Sequence, residues 1–178
     1  QGVDEVWHYS RGLAERAQTP TTARGVPLIV RHVAPGFAPG PRRFGPCENA
    51  SAAPALWMGR LALSERRRCF KALGRNPFLQ TQALRQRYDV WTATQWDAFV
   101  SHHQCSPLFV NFHKDCANNR APFESVRIAQ LLSRGGLVVS QPADPRDVSE
   151  YDGLVVFEDQ FFAKTWSRET LALLGDGV

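Results

Sequence analysis

Residues 108–141 read LFVNFHKDCANNRAPFESVRIAQLLSRGGLVVSQ, and the order of features in that stretch decides the fold. An apolar run over 107–112 ends in the polar knot His113-Lys114-Asp115-Cys116. Pro122 then opens a helix over 122–133, since proline's missing N–H would have no intrahelical partner at a first helical position. Gly135-Gly136 supply the stop, and Leu137 to Ser140 form a second apolar run. Two nearly all-apolar strands joined through a helix describe a βαβ unit in a parallel sheet buried on both faces. Ala121 has no side chain able to cap the helix, so the first-turn amides are available to an anionic acceptor.

The same rhythm extends outward. Short apolar runs at 55–59, 88–92, 107–112, 137–140 and 154–157 alternate with helical patterns at 64–73, 94–103, 122–133 and 167–174. This predicts an α/β fold over 55–178, a Rossmann-like parallel five-stranded sheet of order 3-2-1-4-5 with helices on both faces. Residues 34–54, dense in Pro, Gly and Ala without an apolar period, read as a linker. Residues 1–33 hold two short apolar runs, 5–10 and 26–33, too small for a core of their own, and read as the remnant or edge of a preceding domain.

At 178 residues, 43% of them hydrophobic, the chain can bury a core of ordinary size and has the composition of a soluble globular protein. No window approaches the roughly 18 apolar residues of a membrane span, and the first 30 residues lack a secretory pattern. The opening Gln1 suggests a processed form or a fragment, so compartment stays open between cytoplasm and organelle. Cys47, Cys69, Cys105 and Cys116 are too few and scattered for a disulfide framework and are expected as free thiols. Asn49-Ala50-Ser51 is a glycosylation triplet that matters only in a secreted chain.

The net charge of +4 is uneven: Arg60, Arg66, Arg67, Arg68, Lys71, Arg75, Arg85 and Arg87 face only Glu65 within their stretch. Such a cluster favours an anionic partner. No RNP, KH or zinc-finger pattern accompanies it, which argues against nucleic acid.

Three chemistries compete for the polar residues. His102, His103, Cys105, His113 and Cys116 are all acceptable zinc ligands, but a strand over 107–112 holds Cys105 and His113 roughly 25 Å apart at about 3.3 Å per residue. Zinc needs its ligands within about 2.3 Å, so no metal is expected. A nucleophilic enzyme lacks G-x-S-x-G or a local cysteine motif, and a dinucleotide site lacks G-x-G-x-x-G. A nucleotide site fits more features. Gly59 would let backbone approach a phosphate, and Arg60 or Arg66 would neutralise it. Glu124 would accept from both ribose hydroxyls, and Arg127, one turn on, would face the diphosphate. The competing reading pairs Glu124 with Arg127 locally and leaves the arginine run as a wet surface; these residues alone favour neither.

VNFHKDCANNRAPFESVRIAQLLSRGGLVVSQ, followed by EYDGLVVFED, resembles the C-terminal, donor-binding half of GT-B glycosyltransferases of the spore-protein and group-1-like type. There an Asn-x-His strand end, a Pro-Phe-Glu-x-x-Arg-Ile helix, a Gly and a Val-Val-Ser-Glu strand recur in order. GRLALSERRRCFKALG resembles their first loop and helix, and VWHYS the Trp-Asp-Tyr-Ser run near the end of their first domain. The resemblance implies a UDP- or GDP-linked sugar as donor, with Glu124 on the ribose and Gly59, Arg60 and Arg127 on the diphosphate. Asn111 and His113 would lie near the sugar or phosphate. It implies no metal or other cofactor, because basic side chains and helix dipoles stabilise the leaving diphosphate.

The chain also departs from that pattern. Gln141 stands where the family has Glu, Leu132 occupies the position of a second paired Glu, and only the tail of an acceptor-binding domain is matched. A catalytic base is therefore not assigned. The alternative expectation is a non-catalytic relative serving as an accessory or structural subunit, with protein partners in a larger and even organellar assembly.

Overall fold

The computed structural model describes residues 5–17, 29–33, 43–45, 55–58, 64–76, 81–84, 92–103, 108–113 and 116–174. Four parallel pairings join β4 (Thr81–Leu84), β3 (Ala55–Met58), β5 (Leu108–Asn111), β6 (Leu137–Ser140) and β7 (Val156–Phe157) in that spatial order. Side chains alternate along β3, β5 and β6 as the pleat requires. Leu56, Phe109 and Val138 enter one core with Phe99 and Val100 of α3 (Ala93–His102) and Ile128 and Leu131 of α4 (Ser125–Leu132). Trp57, Val110 and Val139 enter the other with Cys69 and Leu73 of α2 (Ser64–Leu73) and Leu171 of α6 (Arg168–Leu174). The result is a Rossmann-like α/β layer arrangement, with the sheet buried from both sides.

The strand order differs from the expected one. β5 lies directly against β3, with Phe109 beside Leu56, instead of at the sheet edge. The place on β3's other side belongs to β4, a segment with no apolar run that the hydrophobic pattern passed over. Of the strand expected at 88–92, residues 88–91 lie outside the described residues. Thr92 is an N-cap: its hydroxyl accepts from Gln95 N–H while the Gln95 side chain accepts from Thr92 N–H, the two reciprocal bonds of a capping box.

Helical geometry in α4 begins at Ser125, not at Pro122. Glu124 sits at φ −80°, ψ 56°, outside the helical region, and Phe123 N–H donates to Asp147 Oδ2 at 3.0 Å. Gly135 ends the α4 region at φ 79°, a left-handed conformation that favours glycine, and the Gly136 N–H closes back on Leu131 O at 3.0 Å. The cysteine expectation also fails: Cys69 and Cys116 form a disulfide with Cα atoms 6.1 Å apart. They are 47 positions apart in sequence, and no local pattern shows the pairing. Cys47 and Cys105 lie outside the described residues.

The segment read as a linker contributes to the core at one point. Phe44 is buried against Phe99 and Phe109, and its N–H donates to Arg134 O at 2.8 Å. Ahead of it, β1 (Glu5–His8) and β2 (Ile29–His32) pair in parallel around α1 (Arg11–Arg16). This unit docks on α5 (Pro145–Glu150), a helix the hydrophobic pattern did not reveal. Gly12 permits the approach: a Cβ there would meet Asp144 Oδ2 at 2.6 Å. Arg16–Asp144, Arg146–Glu15 and His32–Glu150 pairs surround the contact. Among the described residues, no helix is long and apolar enough to cross a membrane.

Candidate functional site

The chain leaves β3 toward β4 and returns on β3's other side as β5, so a topological switch point lies between β3 and β5. In open parallel sheets the crevice beyond the carboxyl ends of such strands is where ligands bind. Asn111 closes β5, Ser140 closes β6, and the N-terminal turns of α2 and α4 supply charged side chains to the same end.

Glu124, at the N-cap of α4, makes no capping bond with its side chain. Its carboxylate instead takes Arg66 Nη2 at 3.2 Å on one oxygen and Arg127 on the other. Arg127, itself buried, also donates to Asn111 Oδ1 at 2.6 Å, and Asn111 Nδ2 donates to Ser140 Oγ at 2.9 Å. The Glu124 side chain is 26% exposed and that of Arg66 18%, against 5% for Arg127. Arg127 is thus a buried support for Glu124, while Arg66 is the arginine nearer to solvent.

Of the expected site residues, the fold brings Arg66, Asn111, Glu124 and Arg127 into one bonded cluster. Gly59 and Arg60 lie outside the described residues. His113 is buried beside the cluster, with Nε2 2.8 Å from Pro142 O. A carbonyl can only accept, so Nε2 carries the proton in this contact. Burial pushes the imidazole below its ordinary pKa, outweighing the Pro142 carbonyl and the nearby Glu124 carboxylate, which favour the charged form. Burial thus favours the neutral imidazole at His113.

Sequence reasoning missed two further organisers. Asp147, 1% exposed, accepts from Ser10 Oγ at 2.7 Å, Gly12 N–H at 3.1 Å and Phe123 N–H at 3.0 Å. It ties the N-terminal unit to the residue preceding Glu124. The Asp144-Pro145 pair is a readable helix start that would have placed Asp147 in a first turn, but its partner Ser10 lies 137 positions away. Gln141 donates through Nε2 to Cys116 O at 2.9 Å and Asn119 Oδ1 at 2.8 Å, and its Oε1 accepts from His113 N–H at 3.3 Å. A carboxylate could accept from His113 but could not donate to the other two.

The potential zinc ligands remain separate. His102 and His103 meet edge to face at the end of α3, and Cys116 is committed to its disulfide. Among the described residues, no group of three or more His, Cys, Asp or Glu side chains could hold a metal ion. The basic stretch divides as well: Arg67, Arg68, Lys71 and Arg75 point to solvent, and Arg66, on the side of buried Cys69, turns toward the site. A shallow cavity of about 460 Å³ is lined by Asn119, Arg120, Pro142, Ala143, Val148 and Asp152 among others, and by none of the cluster's four residues. No protein-family model, curated protein or solved structure matches the chain.

Proposed function

We propose that this chain is the donor-binding part of a GT-B-like glycosyltransferase and holds a UDP- or GDP-linked sugar. The reading rests on one observation: Glu124 is fixed between Arg66 and Arg127 beyond the carboxyl ends of strands flanking a switch point. A carboxylate there accepts two hydroxyls of a ribose. To do so it exchanges its more exposed partner, Arg66, for the ligand and keeps the buried Arg127 beneath it. The released Arg66 is then positioned to neutralise the diphosphate. In a transfer reaction the bond from the sugar's anomeric carbon to the diphosphate breaks as one forms to an acceptor oxygen, and a fixed cation stabilises the charge left on the diphosphate.

A thermal-shift titration with UDP and GDP tests this. Binding raises Tm, by about 2.7 kcal/mol of added stability at a ligand concentration of 100 Kd. Glu124→Ala and Arg66→Ala are expected to remove the response; no response from the unaltered chain to any nucleotide would sink the reading.

One observation favours a non-catalytic descendant over an active transferase. Gln141, where the resembled family carries Glu, has its side-chain oxygen and nitrogen engaged in holding the loop at Cys116 and Asn119 and the backbone of His113. Such a chain would act as an accessory or structural subunit. It would co-purify with protein partners and show no glycosyl transfer with any donor.

A further inference from the structure

The N-terminal unit does more than pack against α5: it brings an aromatic ring to the mouth of the cluster. Ser125 Oγ donates to Tyr9 O at 3.4 Å, which places Tyr9 beside the residue following Glu124. Its other neighbour, Ser10, is pinned through Oγ to buried Asp147 at 2.7 Å, and the Ser10 N–H donates to His8 Nδ1 at 2.9 Å. The His8 ring stacks on Tyr9 with centroids 4.9 Å apart and planes 27° off parallel. The tyrosine is thus held from both backbone neighbours and through its ring.

Tyr9 nonetheless remains 40% exposed, and Val126, in the first turn of α4, is 53% exposed. A main-chain bond from Val33 N–H to His8 O, at 2.9 Å, brings a third exposed apolar residue alongside. Flat and apolar surface therefore adjoins a carboxylate flanked by cations. Burial, then the Glu124 carboxylate, raise the Tyr9 hydroxyl's pKa, while Arg127 opposes with a smaller effect. The Ser125–Tyr9 bond sets Tyr9 beside the turn that carries Glu124.

A nucleotide presents its base and its diphosphate on opposite sides of the ribose. With Glu124 on the ribose hydroxyls and the arginines toward the diphosphate, the base is the part of the ligand left to meet a neighbouring flat surface, and Tyr9 is the exposed ring held next to the Glu124 turn. We propose that Tyr9 is a specificity-determining residue of this site, its pre-positioned ring receiving the planar base of a nucleoside diphosphate. This rests on the nucleotide reading of the Arg66–Glu124–Arg127 cluster.

Calorimetric titration of the full chain with UDP, GDP, inorganic pyrophosphate and ribose 5-phosphate tests it. Tyr9→Leu, which keeps bulk and removes the flat ring, is expected to weaken UDP and GDP by about tenfold, within the range of base–aromatic stacking. Ribose 5-phosphate and pyrophosphate should be unaffected, and Tyr9→Phe should bind nucleotides as the unaltered chain does. Nucleotide binding that Tyr9→Leu leaves intact, or an equal loss for nucleotides and ribose 5-phosphate, overturns the role of Tyr9 alone. Failure of the unaltered chain to bind any nucleotide overturns both the inference and the reading beneath it.

Discussion

Glu124 and Asp147 lie one residue apart in the hydrogen-bond network, joined through Phe123, yet they are held in opposite ways. Glu124 is partly exposed and neutralised by two guanidinium groups. Asp147 is fully buried, and its three donors are a hydroxyl and two backbone amides, drawn from different parts of the chain. An arginine on a flexible stem can be displaced by a ligand at modest cost, because both partners regain hydrogen bonds elsewhere. Buried amides have no such alternative: removing their acceptor leaves each unsatisfied. Two carboxylates of similar intrinsic chemistry thereby take different roles, one able to exchange partners and the other fixing the frame.

The sharpest way to break this comparison is Asp147→Ala. Leaving three buried donors without an acceptor should cost about 3–5 kcal/mol in chemical denaturation. A loss near that of an exposed substitution, a few tenths of a kcal/mol, would show that Asp147 is not the pin described. The Cys69–Cys116 pair probes the Glu124 side, since Cys69 lies one turn beyond Arg66 on α2. Replacing both cysteines with serine should lower stability by about 4 kcal/mol, the loop-entropy expectation for a loop of this length. Nucleotide affinity should fall with it as Arg66 loses its fixed backing. A smaller effect is expected from acid.

The acid effect comes from Asp144 and Glu158. Burial pushes both carboxyls up, but for Asp144 the Arg146 N–H and the Arg16 guanidinium outweigh it. For Glu158 the hydroxyls of Thr170 and Ser167 and the amides of Gln160 and Ser167 do the same. Both folded pKa values therefore lie below the ordinary ones, and the unfolded chain binds more protons as pH falls through that window. Their stabilisation is complete above the ordinary carboxylate range and is lost as pH drops through the depressed values. Tm should hold steady from about pH 7 to pH 5 and decline below about pH 4; Glu158→Gln should flatten part of that decline.

The sequence was informative where physics is local. The apolar runs at 55–59 and 137–140 became β3 and β6 because buried parallel strands need side chains acceptable to both faces. Glu124 and Arg127 met because three positions on a helix start share one side. What the sequence did not reveal depends on long-range choices. Nothing in the residues of β5 states that they pair with β3 and not beyond the second strand, so the order differs from the expected one. Neither cysteine carries a mark of its partner, and Asp147 acquires its meaning from Ser10 only after α1 has docked. The late start of α4 has the same origin, since Asp147 draws the Phe123 amide out of the helical register.

The disulfide has a topological consequence. It joins α2, which follows β3, to the segment following β5, so the chain between them closes into a covalent ring that contains β4, α3 and β5. A peptide bond cut anywhere within that ring opens it without producing two molecules. A nick beside the switch point on which the candidate site is built therefore leaves its two sides covalently joined, a protection that disappears on reduction.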